Sequence, residues 1–372
     1  MRVAMLSCNT GEGHNSTAKA VQEVLTTRGV ECELIDVLAC LSPKFSKFLC
    51  NWHTRIYRYG PKLFDKGYRA CERSEVDPGE TTAIYDLLAF GMKKLWNQLE
   101  NGSYDVILCT HVFSGMMVTE VRKTFHVKIP CFFVSTDYTC HPFAEQCEMD
   151  GYFIPSEELA EEFLTAGLPA EKLIPTGIPV RQDFYAAGKR DEARKALGLP
   201  ADKLVLLLMC GSMGCGPMKD IAEELTERLP EDATVVAICG RNEKLYDSLA
   251  EIRNPKLRPV GFTKEVAAFM DAADLIVTKP GGLSSTEAAN KHLPIVFINA
   301  VGGCESRNFN YFLARGYAIG SSDPNEATDQ AILLAGYPTQ LARMRRNLTE
   351  EFTVNSAEII ADRLVAAGKD AK

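Results

Sequence analysis

Strand-like and helix-like stretches alternate along almost the whole chain, and the sequence therefore predicts an α/β protein of two doubly wound domains with parallel sheets. Two observations support the number. The 372 residues exceed what one core usually serves, since domains commonly run to roughly 100–200 residues. The alternation also restarts after a stretch from Pro179 to Pro200 that holds turn residues and a short charged helix. Domains are expected over residues 1–180 and 200–345, with a segment 346–372 beyond them.

The first element is the apolar run Arg2 to Cys8, a short buried strand. The loop Asn9-Thr10-Gly11-Glu12-Gly13-His14 follows, then a helix from about Ser16 to Thr27 and a second strand, Glu33 to Val37. This opening is a βαβ unit. It also imitates a dinucleotide fingerprint, with Gly11 and Gly13 in the loop and Asp36 about 20 residues on, although the third glycine is replaced by Ser16. A dinucleotide-binding oxidoreductase is thus one alternative function.

From Pro43 to Arg73 the composition changes: eight Lys or Arg, among them Arg55, Arg58, Lys62 and Lys66, stand against Asp65 and Glu72, with seven interleaved aromatics that include Phe48 and Trp52. Basic heads on apolar bodies suit an anionic lipid surface, and equally suit a solvated helix packed on its own domain. A turn at Asp77-Pro78-Gly79 and a helix to about Glu100 come next. Asp105 to His111, Cys131 to Asp137, Tyr152 to Ser156 and Lys172 to Gly177 read as the remaining strands of this half. Polar residues at their ends are expected at the ligand edge of such a sheet. Asp137, Cys140, His141, Cys147 and Asp150 cluster in sequence, but their spacing fits no zinc pattern, and no metal is expected.

In the second half, Lys203 to Cys210 is a strand followed by the glycine-rich Gly211-Ser212-Met213-Gly214; Thr234 to Cys239 ends in Gly240-Arg241; Pro259 to Phe262 is a short strand. The most informative stretch is Leu275 to Ala289, an apolar strand, the pair Gly281-Gly282, and a helix that Ser284, Ser285 or Thr286 can cap. Free backbone N–H groups and the positive end of a helix suit a diphosphate, and Glu287 can accept hydrogen bonds from a ribose diol. Pro294 to Asn299 is a further strand, and the last helix spans about Asn355 to Ala367. The two halves are expected to face each other across a ligand cleft.

Hydrophobic residues make up 46% and charged residues 24%, ordinary for a soluble globular protein, and a net charge of −8 argues against a nucleic-acid partner. The 13 cysteines are odd in number, scattered, and contain no Cys-x-x-Cys pair, so they read as buried free thiols in a reducing compartment. No leader and no apolar run of about 18 residues is seen, which leads to the expectation of a cytoplasmic protein.

Taken together and in order, Gly11-Glu12-Gly13-His14, Thr136 to Pro142, Thr176 to Arg181, Cys239 to Asn242, Val260-Gly261-Phe262, Lys279 to Gly282 and Thr286-Glu287-Ala288 resemble the monogalactosyldiacylglycerol synthase and processive diacylglycerol glucosyltransferase family. A more distant likeness is to the bacterial lipid-II N-acetylglucosaminyltransferase. The resemblance covers nearly the whole chain and implies the two-domain GT-B glycosyltransferase fold, with Rossmann-like halves and a C-terminal helix returning to the first domain. It implies a UDP-sugar donor (UDP-glucose or UDP-galactose), a diacylglycerol acceptor, no metal or other cofactor, and peripheral action at the inner face of the cell membrane. The donor site would use Gly211, Ser212, Met213, Gly240, Arg241, Phe262, Gly281, Gly282, Leu283, Ser284, Glu287, Glu305 and Asn308. The acceptor and membrane side would use Gly11, Gly13, Trp52, Arg55, Arg58, Lys62, Lys66 and His141, with His14 as general base and Asp137 supporting the acceptor. Where the family shows Gly-Gln-Glu, this chain has Gly303-Cys304-Glu305, and Cys304 lacks the amide's donor and acceptor, which leaves the sugar open. A nucleotide-sugar epimerase of the same two-lobed shape is the second alternative.

Overall fold

A computed structural model describes residues 1–9, 12–59, 83–185, 188–298, 300 and 302–370, with only the backbone described at 51, 53–59 and 83. The chain divides into two compact units, the first formed by Met1–Gln182, Gly302–Cys304 and the residues from Val354 on, the second by Asp183–Val301 and Glu305–Thr353.

The sheet of the first unit contains β1 (Arg2–Ser7), β2 (Glu31–Asp36), β3 (Val106–Cys109), β4 (Cys131–Val134), β5 (Gly151–Ile154) and β6 (Leu173–Pro175). Their order is β2-β1-β3-β4-β5-β6, and every neighbouring pair is parallel. The second unit contains β7 (Val205–Met209), β8 (Thr234–Ile238), β9 (Leu257–Val260), β10 (Leu275–Thr278), β11 (Ile295–Ile298) and β12 (Ala318–Ser321). Here the order is β12-β11-β10-β7-β8-β9, again all parallel. Strand order therefore reverses between β1 and β3 in one sheet and between β7 and β10 in the other. Those switch points are where open α/β sheets receive ligands, outside the carboxyl ends of the strands.

The strands form because both sheet faces are covered, so runs such as Val205 to Met209 are buried along their whole length. An aspartate sets the register at three strand starts. Asp105 accepts from the Arg2 amide at 2.8 Å, Asp150 from the Cys131 amide at 2.8 Å and Asp274 from the Val205 amide at 2.8 Å. Each returns its own N–H to the carbonyl of the same residue. In the second unit Asp274 also receives Arg194, a fully buried guanidinium that donates further to the carbonyls of Ala272, Pro200, Ala201 and Lys203. This ties the helix Arg190–Leu197 to the starts of β7 and β10.

The closing helix, Ser356–Asp370, lies on the first unit: Arg28 pairs with Asp362 at 2.7 Å and also with Glu358, and Gly368 lies against Met1 and Val106. A Cβ at Gly368 would stand 2.5 Å from the Met1 side chain, so the glycine allows the close approach.

Several boundaries differ from the sequence expectation. The first helix is Glu12–Thr27, so His14 belongs to its first turn and not to a preceding loop. Val37 opens a helix, Val37–Leu41, that Asp36 caps, in place of ending a strand. The helix expected to reach Glu100 is two, Ala83–Ala89 and Met92–Gly102, with a break at Phe90-Gly91. The strand β12 went unpredicted because Ala-Ile-Gly-Ser is short and only partly buried. The basic aromatic segment is helical from Pro43 to Tyr59, and the rest of it, with the Asp77-Pro78-Gly79 turn, lies outside the described residues.

Candidate functional site

In the first unit, the helix start after β1 and the loops after β3 and β4 bring His14, Thr110, His111, Thr136, Asp137 and His141 around one small cavity at the switch point. The chain of Ser7 Oγ to Asn15 Oδ1 (2.7 Å), Asn15 Nδ2 to Asn9 Oδ1 (2.8 Å) and Asn9 Nδ2 to Asp36 Oδ2 (2.9 Å) fixes the first turn of the helix that carries His14.

His14 Nδ1 is 2.7 Å from the Thr110 carbonyl oxygen. A carbonyl only accepts, so Nδ1 holds the ring proton and the lone pair is on Nε2. Thr136 Oγ1 lies 3.2 Å from the same Nδ1 and 3.3 Å from Asp137 Oδ2. Its hydroxyl can accept from the first and donate to the second, linking His14 to the Asp137 carboxylate. The His111 ring stands edge-on to His14, 4.5 Å between centroids, and 6.5 Å from His141. His141 keeps Nδ1 2.6 Å from the Pro142 carbonyl. Burial pushes His141 below its ordinary value of 6.5, and neighbouring His14 lowers it further while Asp137 opposes.

The structure thus gathers His14, Asp137 and His141 in one cavity. His111 and Thr136 line it too, though neither was singled out from sequence; the available signal was a histidine at a strand end directly before a helix. Gly13 is helical, and Gly11, Lys62 and Lys66 lie outside the described residues, as do the side chains of Arg55 and Arg58. Trp52 is exposed on the helix Pro43–Tyr59. Asp36 accepts from the Leu38 amide (3.1 Å), Asn9 (2.9 Å) and Ser46 (2.7 Å), so it serves as a helix cap and not as the ribose-binding carboxylate of a dinucleotide site. Among the described residues no group of three or more His, Cys, Asp or Glu could hold a metal ion.

In the second unit the loops after β7 and β8 interlock through backbone. Gly211, Gly214 and Gly240 have φ of 68°, 53° and 57°. A Cβ at Gly214 would meet the Cys239 carbonyl oxygen at 2.2 Å, and one at Gly240 would meet that of Ser212 at 2.3 Å. Arg241 N donates to Ser212 O (2.9 Å) and Asn242 Nδ2 to Gly214 O (2.8 Å). The Arg241 guanidinium lies 5.5 Å from the Phe262 ring centre, with Phe262 58% exposed, a surface that a flat base can share.

Across the switch point, β10 leads through Lys279 and Pro280 into the helix Gly282–Asn290, whose N-cap is Gly281. No side chain caps it, contrary to the expectation for Ser284, Ser285 or Thr286. The glycine pair lets the helix begin a turn sooner, so all three lie inside it, and Thr286 Oγ1 bonds back to the Gly282 carbonyl at 2.7 Å. A Cβ on Gly281 would have nothing within 4 Å, which marks open space over this helix start. Lys279 pairs with Glu305 at 3.6 Å, both largely buried, and Asn308 Nδ2 donates to the Pro280 carbonyl at 3.0 Å. Glu287, partly buried, lies in the second turn of the helix.

The monogalactosyldiacylglycerol (MGDG) synthase family model matches residues 14–180, the part that holds the histidine cavity. The glycosyltransferase family 28 C-terminal domain matches residues 205–320, the part that holds the glycine loops. The chain is a glycosyltransferase. Over 98% of its length it is 26% identical to the processive diacylglycerol beta-glucosyltransferase of Bacillus cereus strain G9842, covering 93% of that relative. Its fold is similar to that of Acinetobacter baumannii MurG, with a TM-score of 0.64 at 15% identity over 98% of this chain and 99% of the other. It is equally similar to a UDP-GlcNAc 2-epimerase from Neisseria meningitidis bound to UDP-GlcNAc, with a TM-score of 0.64 at 14% identity over 98% and 100% of the two chains. At such identities the likeness is one of fold, and that fold is shared with an epimerase. The two domain matches are what separate this glycosyltransferase from the epimerase alternative. No helix among its described residues is long and apolar enough to cross a membrane.

Proposed function

We propose that this glycosyltransferase moves a hexose from a UDP-sugar to the free hydroxyl of diacylglycerol, with inversion, while resting on an anionic membrane surface at the inner face of the cell membrane. The observation that carries the proposal is the tautomer of His14 at a strand-edge cavity in the half that matches the MGDG synthase family. The name of the similar diacylglycerol beta-glucosyltransferase supports transfer of a hexose to diacylglycerol.

In this mechanism the acceptor O–H donates to His14 Nε2. As the proton transfers, the acceptor oxygen forms its bond to the anomeric carbon, and the bond from that carbon to the diphosphate oxygen breaks with its electron pair leaving on UDP. The relay through Thr136 to Asp137 favours the imidazolium that results. On the donor side, Gly281, Gly282, Leu283 and Ser284 supply helix-start N–H groups to the departing diphosphate, with Gly211, Ser212, Met213 and Gly240 beside them. Glu287 holds the ribose diol, Arg241 and Phe262 the base, and Glu305 and Asn308 the sugar. Such a site needs no cofactor beyond the donor itself.

The membrane contact falls to the outward stripe Lys44, Phe48 and Trp52 of the helix Pro43–Tyr59, all exposed, while Phe45 and Leu49 of the same helix pack on the core. Flotation with anionic and neutral vesicles tests it: charge reversal of Arg55, Arg58, Lys62 and Lys66 together should lower binding to anionic vesicles alone. Equal binding by parent and variant would return this helix to a packing role.

The central experiment offers labelled UDP-glucose and UDP-galactose with diacylglycerol vesicles and reads label in the extracted lipid. Label in lipid from one donor identifies the sugar. Donor hydrolysis or interconversion without labelled lipid would overturn the proposal.

A further inference from the structure

His111 occupies a position that fixes its chemistry. It is the N-cap of the helix Val112–Phe125, and its Nδ1 accepts the Phe113 amide at 3.0 Å. The backbone of the cap is locked by Ser114, whose hydroxyl donates to the His111 carbonyl at 2.6 Å and accepts the His111 N–H at 3.3 Å. Because an amide N–H can only donate, Nδ1 carries a lone pair and the ring proton sits on Nε2. A proton added at Nδ1 would face that N–H and the positive end of a 14-residue helix, and both oppose protonation there. His111 and His14 are therefore locked as opposite tautomers. One has its Nε2 lone pair and the other its Nε2–H, with 4.5 Å between ring centres, and both line the same cavity.

We propose that His111 is the hydrogen-bond donor that holds the acceptor's oxygen during transfer, an inference resting on the assignment of His14 as base. The hydroxyl gives its proton to His14 Nε2 and accepts from His111 Nε2–H on the same oxygen. As the proton leaves, negative charge grows on that oxygen, and a neutral donor at a helix N-terminus, 8% exposed, stabilises it without giving up its own proton. The pair thus orients the nucleophile as well as deprotonating it, and the cap on Nδ1 prevents His111 from competing as a base.

A crossed pair of substitutions separates this role from capping. H111N keeps an N-cap oxygen where Nδ1 stands but is too short to place a donor at Nε2. H111Q can place an amide N–H near Nε2 but caps poorly. H111N should keep Tm and UDP affinity near the parent values while lowering kcat/KM for diacylglycerol about 10- to 100-fold. H111Q should lower Tm by about 2–4 °C and retain more of the activity than H111N. H111N within threefold of the parent, or H111Q less active than H111N at equal folded fraction, would leave His111 as a cap alone. H14A measured in parallel keeps the two assignments apart. If H14A loses turnover and H111N does not, only the role of His111 falls; if H14A is also active, the base itself is misassigned.

Discussion

The two switch points of this glycosyltransferase are built from different materials. Between β1 and β3 the sheet edge presents side chains, with His14, His111 and His141 joined by Thr136 and Asp137. Between β7 and β10 it presents main chain, with Gly211, Gly214 and Gly240 in left-handed conformations and Gly281 opening a helix. Proton removal requires a group whose ionisation lies near neutrality, and only a side chain offers that. A diphosphate needs several short N–H contacts that do not titrate, and backbone gives them once side chains are out of the way. On the function proposed above, the same doubly wound scaffold would serve acceptor activation in one unit and donor binding in the other.

Replacing the proposed base should separate the two units most sharply. A positioned general base contributes about 10²–10⁴-fold, so His14→Ala should lower turnover by roughly that factor with UDP affinity by calorimetry unchanged. The parent's rate should fall at acid pH, where a protonated ring cannot accept the hydroxyl's proton, and this acid limb should disappear from the residual activity of the variant. Loss of UDP binding would mean that His14 belongs to the donor side and that the contrast is misdrawn.

Glu287 is the side chain on which the main-chain site is proposed to depend. Hydrogen bonds to a charged group are worth about 1.5–3 kcal/mol, so Glu287→Ala should weaken UDP roughly 10- to 150-fold and leave vesicle binding alone. Unchanged UDP affinity would move the ribose elsewhere.

The glycines sharpen the contrast further. Gly240→Ala strains a left-handed position by about 1–2 kcal/mol and drives a Cβ into the Ser212 carbonyl, so it should lower Tm together with UDP affinity. Gly281→Ala meets no neighbour and no unfavourable φ. It should keep the parental Tm yet weaken UDP about tenfold, as loss of a close backbone approach would, while uridine, without phosphates, binds as before. Equal losses for UDP and uridine would remove the diphosphate from this helix start.

The smallest expected effect concerns His141. Its folded value lies below 6.5, so on acidification the unfolded chain takes a proton that the folded chain refuses. Stability from this source is level above about 6.5 and declines below it. The Tm of the parent should therefore fall more than that of His141→Asn between about pH 7 and pH 5.5. Parallel curves would mean that the cavity accepts an imidazolium without cost.

Much of this arrangement was legible in the residues. Apolar runs bounded by turn residues gave eleven of the twelve strands among the described residues, because parallel strands covered on both faces write themselves as continuous hydrophobic stretches. Gly281-Gly282 announced the turn into a helix, although the helix begins at Gly282, ahead of the serine and threonine caps expected. What escaped were features created by pairing across distance. That Gly13 lies inside a helix goes with the Asn15 contacts to Ser7 and Asn9. That His14 is a fixed tautomer depends on the carbonyl of Thr110, 96 residues away. The His111 cap is local, but a histidine is an uncommon cap and was read as the end of a strand.

The three aspartates at strand starts act as the foot of a ruler. From each of Asp105, Asp150 and Asp274 the strand that follows is four residues long, a rise of about 13 Å at roughly 3.3 Å per residue. A slip of pairing at the foot would move the opposite rim by whole residues, and a rim displaced by even one residue would carry His111 away from His14 or the Gly281 turn away from the Gly211 loop. Carboxylates at the opposite ends of the strands therefore hold the tolerance to which the working edge is cut, and exchanging one for asparagine is a change of alignment that would surface far from where it was made.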